Sequence, residues 1–257
     1  MASKKNRLSL REVKKTFYDN KGNGSLVVDG VSFDVEENEF LVILGPGYCG
    51  KSVLMNMVAN LIEPDEGTIE FDGVAQKFGE GTNKKMGMVF QLLSLAPWKT
   101  VMQNVEFGLK LSGVAKKERQ AVAQKYIDLV GLQNFEKHYP HQLSGGMKQR
   151  VGIARAYTNN PEVLIMDEPF GQLDAQTRYS MQQEIERIWN EDKRTIVFIT
   201  NNIEEACYLA DRILLLTECP AKVKEIYNID LPRPRDRMSQ EFLKIRQQIS
   251  DNTDLSL

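Results

Sequence analysis

Five apolar residues, Phe40-Leu41-Val42-Ile43-Leu44, run directly into Gly45-Pro46-Gly47-Tyr48-Cys49-Gly50-Lys51-Ser52. A continuous apolar run of this length predicts a strand buried on both faces. Beyond it, Leu54, Met57, Val58 and Leu61 recur at i, i+3, i+4 and i+7. That spacing predicts a helix starting near Gly50 and ended by Pro64 and Gly67. A strand, a glycine-rich loop and a helix, in that order, present consecutive backbone N–H groups that can wrap phosphate oxygens. The loop fits G-x-x-x-x-G-K-[ST], in which the lysine lies against the β- and γ-phosphates and the hydroxyl ligates Mg²⁺. Lys51 and Ser52 are therefore the candidate phosphate and metal contacts. Gly45, Pro46, Gly47, Tyr48, Cys49, Gly50 and Val53 complete the candidate nucleotide cradle.

Outward from this loop the chain alternates. Leu8–Val13 and Val31–Val35 read as strands around a polar turn, Asp19–Gly24. Thr68–Phe71, Met86–Phe90, Val163–Met166, Ile196–Ile199 and Ile213–Leu216 are further strand candidates. Helices are predicted over Val101–Phe135, with charged faces around Lys116–Arg119, over Ser144 to about Thr158, and over Ala175–Trp189 and Ile203–Ala210. Strands alternating with helices imply a parallel, helix-covered sheet. Val101–Arg150 carries almost no strand signal and reads as an inserted helical subdomain. Past Tyr227 the chain is polar, with a break at Pro232 and Pro234 before a final helix at Gln240–Ile249. No internal repeat or low-complexity tract interrupts the pattern.

Composition narrows the function classes. The 257 residues are 42% hydrophobic and 26% charged, ordinary values for a soluble globular protein. Thirty-three Lys and Arg face 35 Asp and Glu, a net charge of −2, which argues against nucleic-acid binding through bulk positive charge. The three cysteines, Cys49, Cys207 and Cys219, form neither metal-ligand pairs nor a disulfide framework and point to a reducing compartment. No apolar run approaches the roughly 20 residues that span a bilayer. Met1–Arg7 is polar and basic, with no signal-peptide core behind it. The expectation is a chain that is neither secreted nor membrane-spanning, so that a membrane role requires a partner.

Two further motifs carry chemistry. Val163-Leu164-Ile165-Met166-Asp167-Glu168-Pro169 is an apolar strand ending in two acids, at the sheet edge where parallel sheets bind ligands. Asp167 can hold Mg²⁺, and Glu168 can act as general base on water. Leu143-Ser144-Gly145-Gly146-Met147-Lys148-Gln149-Arg150 places a serine and two glycines at a helix start, another phosphate-facing terminus.

A phosphate loop, Gln91 after a strand, Leu-Ser-Gly-Gly and an apolar strand ending in Asp-Glu occur here in the order found in ATP-binding subunits of ABC transporters. The chain resembles that family from about Leu8 to Leu216, and Leu-Ser-Gly-Gly is the family's signature. The resemblance implies an α/β fold with a P-loop NTPase (RecA-like) core around a parallel sheet. It adds an antiparallel β subdomain and a helical subdomain inserted at about 93–150. The ATPase domain would span 1–227, with a C-terminal tail at 228–257. By the same resemblance either Phe17 or Tyr18 stacks on adenine. Gln91 senses Mg²⁺ and the γ-phosphate and connects to the membrane subunits. Ser144, Gly145 and Gly146 close on ATP held by the opposite subunit, and Asp174 communicates across the dimer. The implied activity is hydrolysis of ATP with Mg²⁺ by a head-to-tail homodimer with two composite sites, with no nucleic-acid partner.

The flanks narrow the resemblance. Ala96-Pro97-Trp98-Lys99-Thr100-Val101, Asn104 to Leu109, Glu204-Glu205-Ala206, Tyr208 to Arg212 and Leu231-Pro232-Arg233-Pro234-Arg235 are similar to the nitrate/sulfonate/taurine import branch. That branch implies two permease subunits, an external substrate-binding protein acting indirectly, and a peripheral place on the cytoplasmic face of the cell membrane. Docking on the permease is expected near Gln91–Thr100 and the helical insert. Leu92, Leu93, Leu95 and Trp98 would line the groove; core packing of the insert is the other reading.

The chain also departs from the family. A histidine usually follows the strand at Ile196–Ile199 and contacts the γ-phosphate; here Thr200 is followed by Asn201 and Asn202. Asn201 can donate a hydrogen bond but cannot take up a proton or a positive charge, which keeps open a regulatory or structural subunit with little hydrolysis. The two histidines, His138 and His141, read as surface or packing residues. Gly47-Tyr48 stands where Ser-Gly is usual. Either Gly47 takes over the backbone freedom, or Tyr48 faces outward and leaves the N–H cradle intact. Val53 replaces a second hydroxyl. Cys49, near Lys51 and a helix N-terminus, is expected to favour its thiolate and to be alkylated in an ATP-protectable way.

Overall fold

The computed structural model describes residues 5–79, 85–91 and 94–253; Leu92 and Leu93 lie outside the described residues. The chain divides into two compact units, Met1–Asn83 with Thr195–Leu257, and Lys84–Arg194. The first unit opens with β1 (Asn6–Tyr18), β2 (Gly24–Glu36), β3 (Phe40–Leu44), α1 (Lys51–Val58), β4 (Glu66–Phe71) and β5 (Val74–Ala75). Four of these strands form an antiparallel sheet in the order β2-β1-β4-β5. Leu8, Leu10 and Val13 meet Val35, Phe33 and Val31 across the β1–β2 ladder, all of them buried. Both strands outrun their apolar patterns, because the Asp19 carboxylate accepts the N–H groups of Lys21 and Asn23 and closes a tight turn. Helix α1 is shorter than its apolar spacing suggests. Asn60 turns left-handed (φ 62°), and Leu61 stands outside the helix, half exposed.

The second unit comprises β6 (Met86–Val89), α2 (Val101–Val105), α3 (Phe107–Leu111), α4 (Lys116–Leu129), α5 (Gly145–Thr158), β7 (Val163–Asp167) and α6 (Ala175–Glu191). Strands β6 and β7 are parallel, with Met86 opposite Val163 and Val89 opposite Met166. The helical stretch expected up to Phe135 ends at Leu129 and breaks before it. Gly113 (φ 78°) separates α3 from α4, and Gly131 (φ 66°) turns the chain out of α4.

The chain then returns to the first unit with β8 (Thr195–Thr200), α7 (Ile203–Leu209), β9 (Arg212–Leu216), β10 (Val223–Asn228) and α8 (Gln240–Asp251). β3 lies between β8 and β9, parallel to both, and β10 adds antiparallel to β9. Every residue of β3 and β8 is buried, which is why β3 and the Ile196–Ile199 centre of β8 read as unbroken apolar runs. β10 is mostly exposed and polar, an edge strand whose sequence shows no such run. Among the described residues, no helix is long and apolar enough to cross a membrane.

Candidate functional site

In the first unit, β3 delivers the chain into the phosphate loop and α1 receives it. Gly50 is the residue before α1, with φ 112°, and a Cβ there would sit 2.8 Å from the Val27 carbonyl. Glycine is thus required twice over at this position, by conformation and by space. Lys51 is buried and folds back along the loop, its Nζ donating to the carbonyls of Gly45 (2.9 Å) and Pro46 (2.6 Å). Ser52 is exposed on the first turn, while Val53 is half-buried. Of the two arrangements the sequence left open, the outward tyrosine is the one adopted. Tyr48 itself takes the left-handed backbone (φ 60°), and its side chain is fully exposed, at 103% relative accessibility. Such a conformation costs an L-residue about 1–2 kcal/mol.

The expectation for Cys49 is corrected. Its thiol is 1% exposed, packed beneath the loop so that a Cβ on Gly45 would lie 3.1 Å from its Sγ. Burial pushes the thiol up from its ordinary range, and the opposing pull of Lys51 is the smaller effect. Cys49 is a packed thiol, not an activated one.

Asn201 also belongs to this unit. Leu44 pairs with Thr200 across the β3–β8 ladder, so Gly45 and Asn201 each lie one residue past the same pair. Asn201 is exposed, whereas its neighbours are tied down. The Thr200 hydroxyl donates to the Glu205 carboxylate at 2.7 Å, and the Asn202 side chain caps α7 by accepting from the Glu205 N–H at 2.9 Å. Phe17 and Tyr18 sit at the end of β1, both exposed. The Lys15 ammonium stands 5.7 Å from the Phe17 ring centroid, and Tyr18 covers Gly24, where a Cβ would meet its ring at 3.1 Å.

In the second unit, β7 ends in Asp167 and Glu168 is the first residue past it, both half-buried after four buried apolar residues. Glu168 is held in a left-handed turn (φ 40°), with its carbonyl accepting from Gly171 N–H at 3.1 Å. Its carboxylate Oε2 accepts from Gln91 Nε2 at 3.4 Å, a contact between residues far apart in sequence. A Cβ on Gly171 would stand 3.6 Å from the same Gln91 nitrogen, an ordinary contact distance, so Gly171 lies against the pair.

Ser144 caps α5, its Oγ accepting from Met147 N–H at 3.3 Å. Asp174 caps α6, accepting from Thr177 N–H (3.0 Å) and from the Thr177 hydroxyl (2.7 Å). These hydrogen bonds hold the Asp174 carboxyl below the usual range. The same Thr177 packs on Gly146, where a Cβ would come within 2.9 Å of its methyl, while Gly145 has ordinary space beside Leu173. One threonine thereby links the Ser-Gly-Gly helix start to the Asp174 cap.

Asn104, part of a flanking motif, has a structural role that the sequence does not reveal. Buried, it donates to the carbonyls of Ala96 (3.2 Å), Lys99 (3.0 Å) and Thr100 (3.0 Å) and accepts from Ala96 N–H, so it shapes the loop that carries exposed Trp98. Its signal was a polar residue inside an apolar helical period. Leu95 in that loop is half-buried. His138 packs on Phe135 at 4.9 Å between ring centroids, and His141 stacks on Tyr139 at 5.8 Å.

A phosphate loop entered from a fully buried parallel strand, with its lysine folded along the loop carbonyls, is the construction of the P-loop nucleoside triphosphatases, and that is the class of this chain. Comparison with known proteins narrows the class. The family model described as ABC transporter matches residues 28–171. An uncharacterised ABC transporter ATP-binding protein of Methanocaldococcus jannaschii is 49% identical over 243 residues, 95% of this chain and 90% of the relative. A taurine import ATP-binding protein of Rhizobium johnstonii is 43% identical, over 86% of this chain and 87% of its own. A nitrate import ATP-binding protein of Synechocystis sp. is 41% identical, over 94% and 89%. A solved dimeric bacterial ABC transporter cassette matches with TM-score 0.76 and 31% identity, over 88% of this chain and all of that one. The chain belongs to the ABC transporter family as an ATP-binding subunit, and it is an ATPase with the P-loop α/β fold.

Proposed function

We propose that this chain hydrolyses ATP to drive an importer of the nitrate/sulfonate/taurine type. In this reading it works as a head-to-tail homodimer on two permease subunits at the cytoplasmic face of the membrane, with an external binding protein supplying the substrate. The observation that carries the reading is similarity along nearly the whole chain to relatives named for taurine and nitrate import, at 43% and 41% identity. The dimeric cassette at 31% identity supports the assembly.

The residues fit the chemistry. Backbone N–H groups of Gly45 to Ser52 and the Lys51 ammonium bind the phosphates. Phe17 or Tyr18 stacks on the base. Ser52, Asp167 and Gln91 would hold Mg²⁺, each carrying the kind of oxygen that ion takes. The ion's contribution is to neutralise charge on the transferring phosphoryl group. Glu168 Oε2, oriented by Gln91, accepts the proton of the attacking water. Asn201 donates to the γ-phosphate. Ser144, Gly145 and Gly146 close on the nucleotide of the partner copy, and Asp174 links the two sites. The ATPase domain spans 1–227, with helices inserted at about 93–150.

Reconstitution with the permease subunits and binding protein in vesicles tests the transport reading. Stimulation of ATP turnover by taurine, nitrate or an alkanesulfonate is the expected result; no response to any of them contradicts the branch. Asn201 favours a second reading, a subunit that binds ATP and dimerises but scarcely hydrolyses it. Asn201→His separates the two. A gain of about tenfold or more in turnover, part of the roughly 100- to 1000-fold that one preorganised donor can supply, marks the natural site as attenuated.

A further inference from the structure

Three arginines beyond β10 converge on α7. Arg235 is buried, and its Nη1 donates to the carbonyls of Cys207 (2.9 Å) and Tyr208 (3.0 Å) in the last turn of that helix. Its Nη2 donates to the Ile229 carbonyl at 3.1 Å. Arg233 donates to the Leu209 carbonyl (2.6 Å) and to Asp211 Oδ1 (2.8 Å). Arg237 lays its guanidinium 3.7 Å from the centroid of the Tyr208 ring and pairs with Glu204 at 3.3 Å. Helix α8 packs on α7 as well, with Phe242 and Ile249 buried.

The last carbonyls of a helix have no partner within it, and the helix dipole makes that end negative. The tail arginines meet both needs of α7. Burying a guanidinium is costly unless it is hydrogen-bonded, so Arg235 commits the tail to one seat. At the opposite end of α7, Asn202 is the cap and Glu205 accepts from Thr200. Asn201 lies between Thr200 and Asn202. A helix of 7 residues, about 10 Å long, separates the arginines from this loop.

We propose that Arg235, supported by Arg233 and Arg237, is a positioning residue for ATP hydrolysis: it fixes α7 and, through it, the loop that presents Asn201 beside the phosphate loop. The inference rests on the reading of Asn201 as the γ-phosphate contact. The test is steady-state turnover of the chain co-purified with its permease subunits, for Arg235→Met, Arg237→Ala, Asn201→Ala and each arginine variant combined with Asn201→Ala. Arg235→Met is expected to lower kcat about tenfold with KM for ATP within about twofold, less than the ~100-fold that an ångström of misplacement can cost. In the Asn201→Ala background the same substitution should cost almost nothing more, because both act through one contact. Arg237→Ala, a milder change at the edge of the contact, should show the same pattern at about threefold, and it carries the test if Arg235→Met does not fold. Losses that multiply in the double variants, a change in KM alone, or unchanged kcat in both arginine variants overturn the proposal. Unchanged kcat in Asn201→Ala itself removes the reading of Asn201, and this inference with it.

Discussion

Tyr48 carries a left-handed backbone that its neighbour Gly47 could have carried without cost. Its side chain touches solvent alone, so nothing is lost from packing when it is replaced. Asparagine tolerates that conformation better than tyrosine. Tyr48→Asn should therefore stabilise the chain by on the order of 0.5–1 kcal/mol, read as a higher urea midpoint with an unchanged slope; a lower midpoint contradicts the assigned backbone. Cys49 makes a second prediction at this scale. Its raised thiol pKa keeps it protonated at neutral pH, so alkylation should be slow with or without ATP and accelerate only at alkaline pH. Exposed Cys219 should react first, and peptide mass mapping after iodoacetamide treatment would show the order. The sequence suggested the opposite for Cys49 because position along the chain reveals a helix terminus and a lysine but not which way the sulfur faces.

At the scale of elements, the Ser-Gly-Gly turn is also a packing device. Gly146 sits against Thr177 of α6 with no room for a methyl group, whereas Gly145 has space. Gly146→Ala should cost about 1–3 kcal/mol by overpacking, while Gly145→Ala should be near neutral, since alanine favours the helix. Equal effects in chemical denaturation would contradict the assigned contact. What was legible at this scale followed burial. β3 and β7 were readable because a strand covered on both faces is apolar throughout, and α5 and α6 because Ser144 and Asp174 are good caps. β10 was invisible because an edge strand needs no apolar run. The end of α1 was overrun because Asn60 stops the helix through its backbone, which the apolar spacing does not record.

For the whole molecule, the motifs that give the chain its family lie far apart in sequence, and they were recognisable because each is chemically distinctive in a short window. The contacts that tune them were not. The Gln91–Glu168 hydrogen bond and the buried Arg235 depend on chain segments brought together by folding, and the Asn104 hub on the path of a local loop that the apolar spacing does not record. With net charge near zero, the phosphate loop was the dominant chemical signal. The central claim is that this chain is a working motor in which Glu168 activates water while Asn201 occupies the usual histidine position. Its most direct test is steady-state ATP turnover of the chain co-purified with its permease subunits, measured beside Glu168→Gln. The account predicts turnover that falls at least about 100-fold in the variant while ATP binding persists, the scale of a lost general base. Turnover no higher in the natural chain than in Glu168→Gln, with nucleotide still bound, would contradict it.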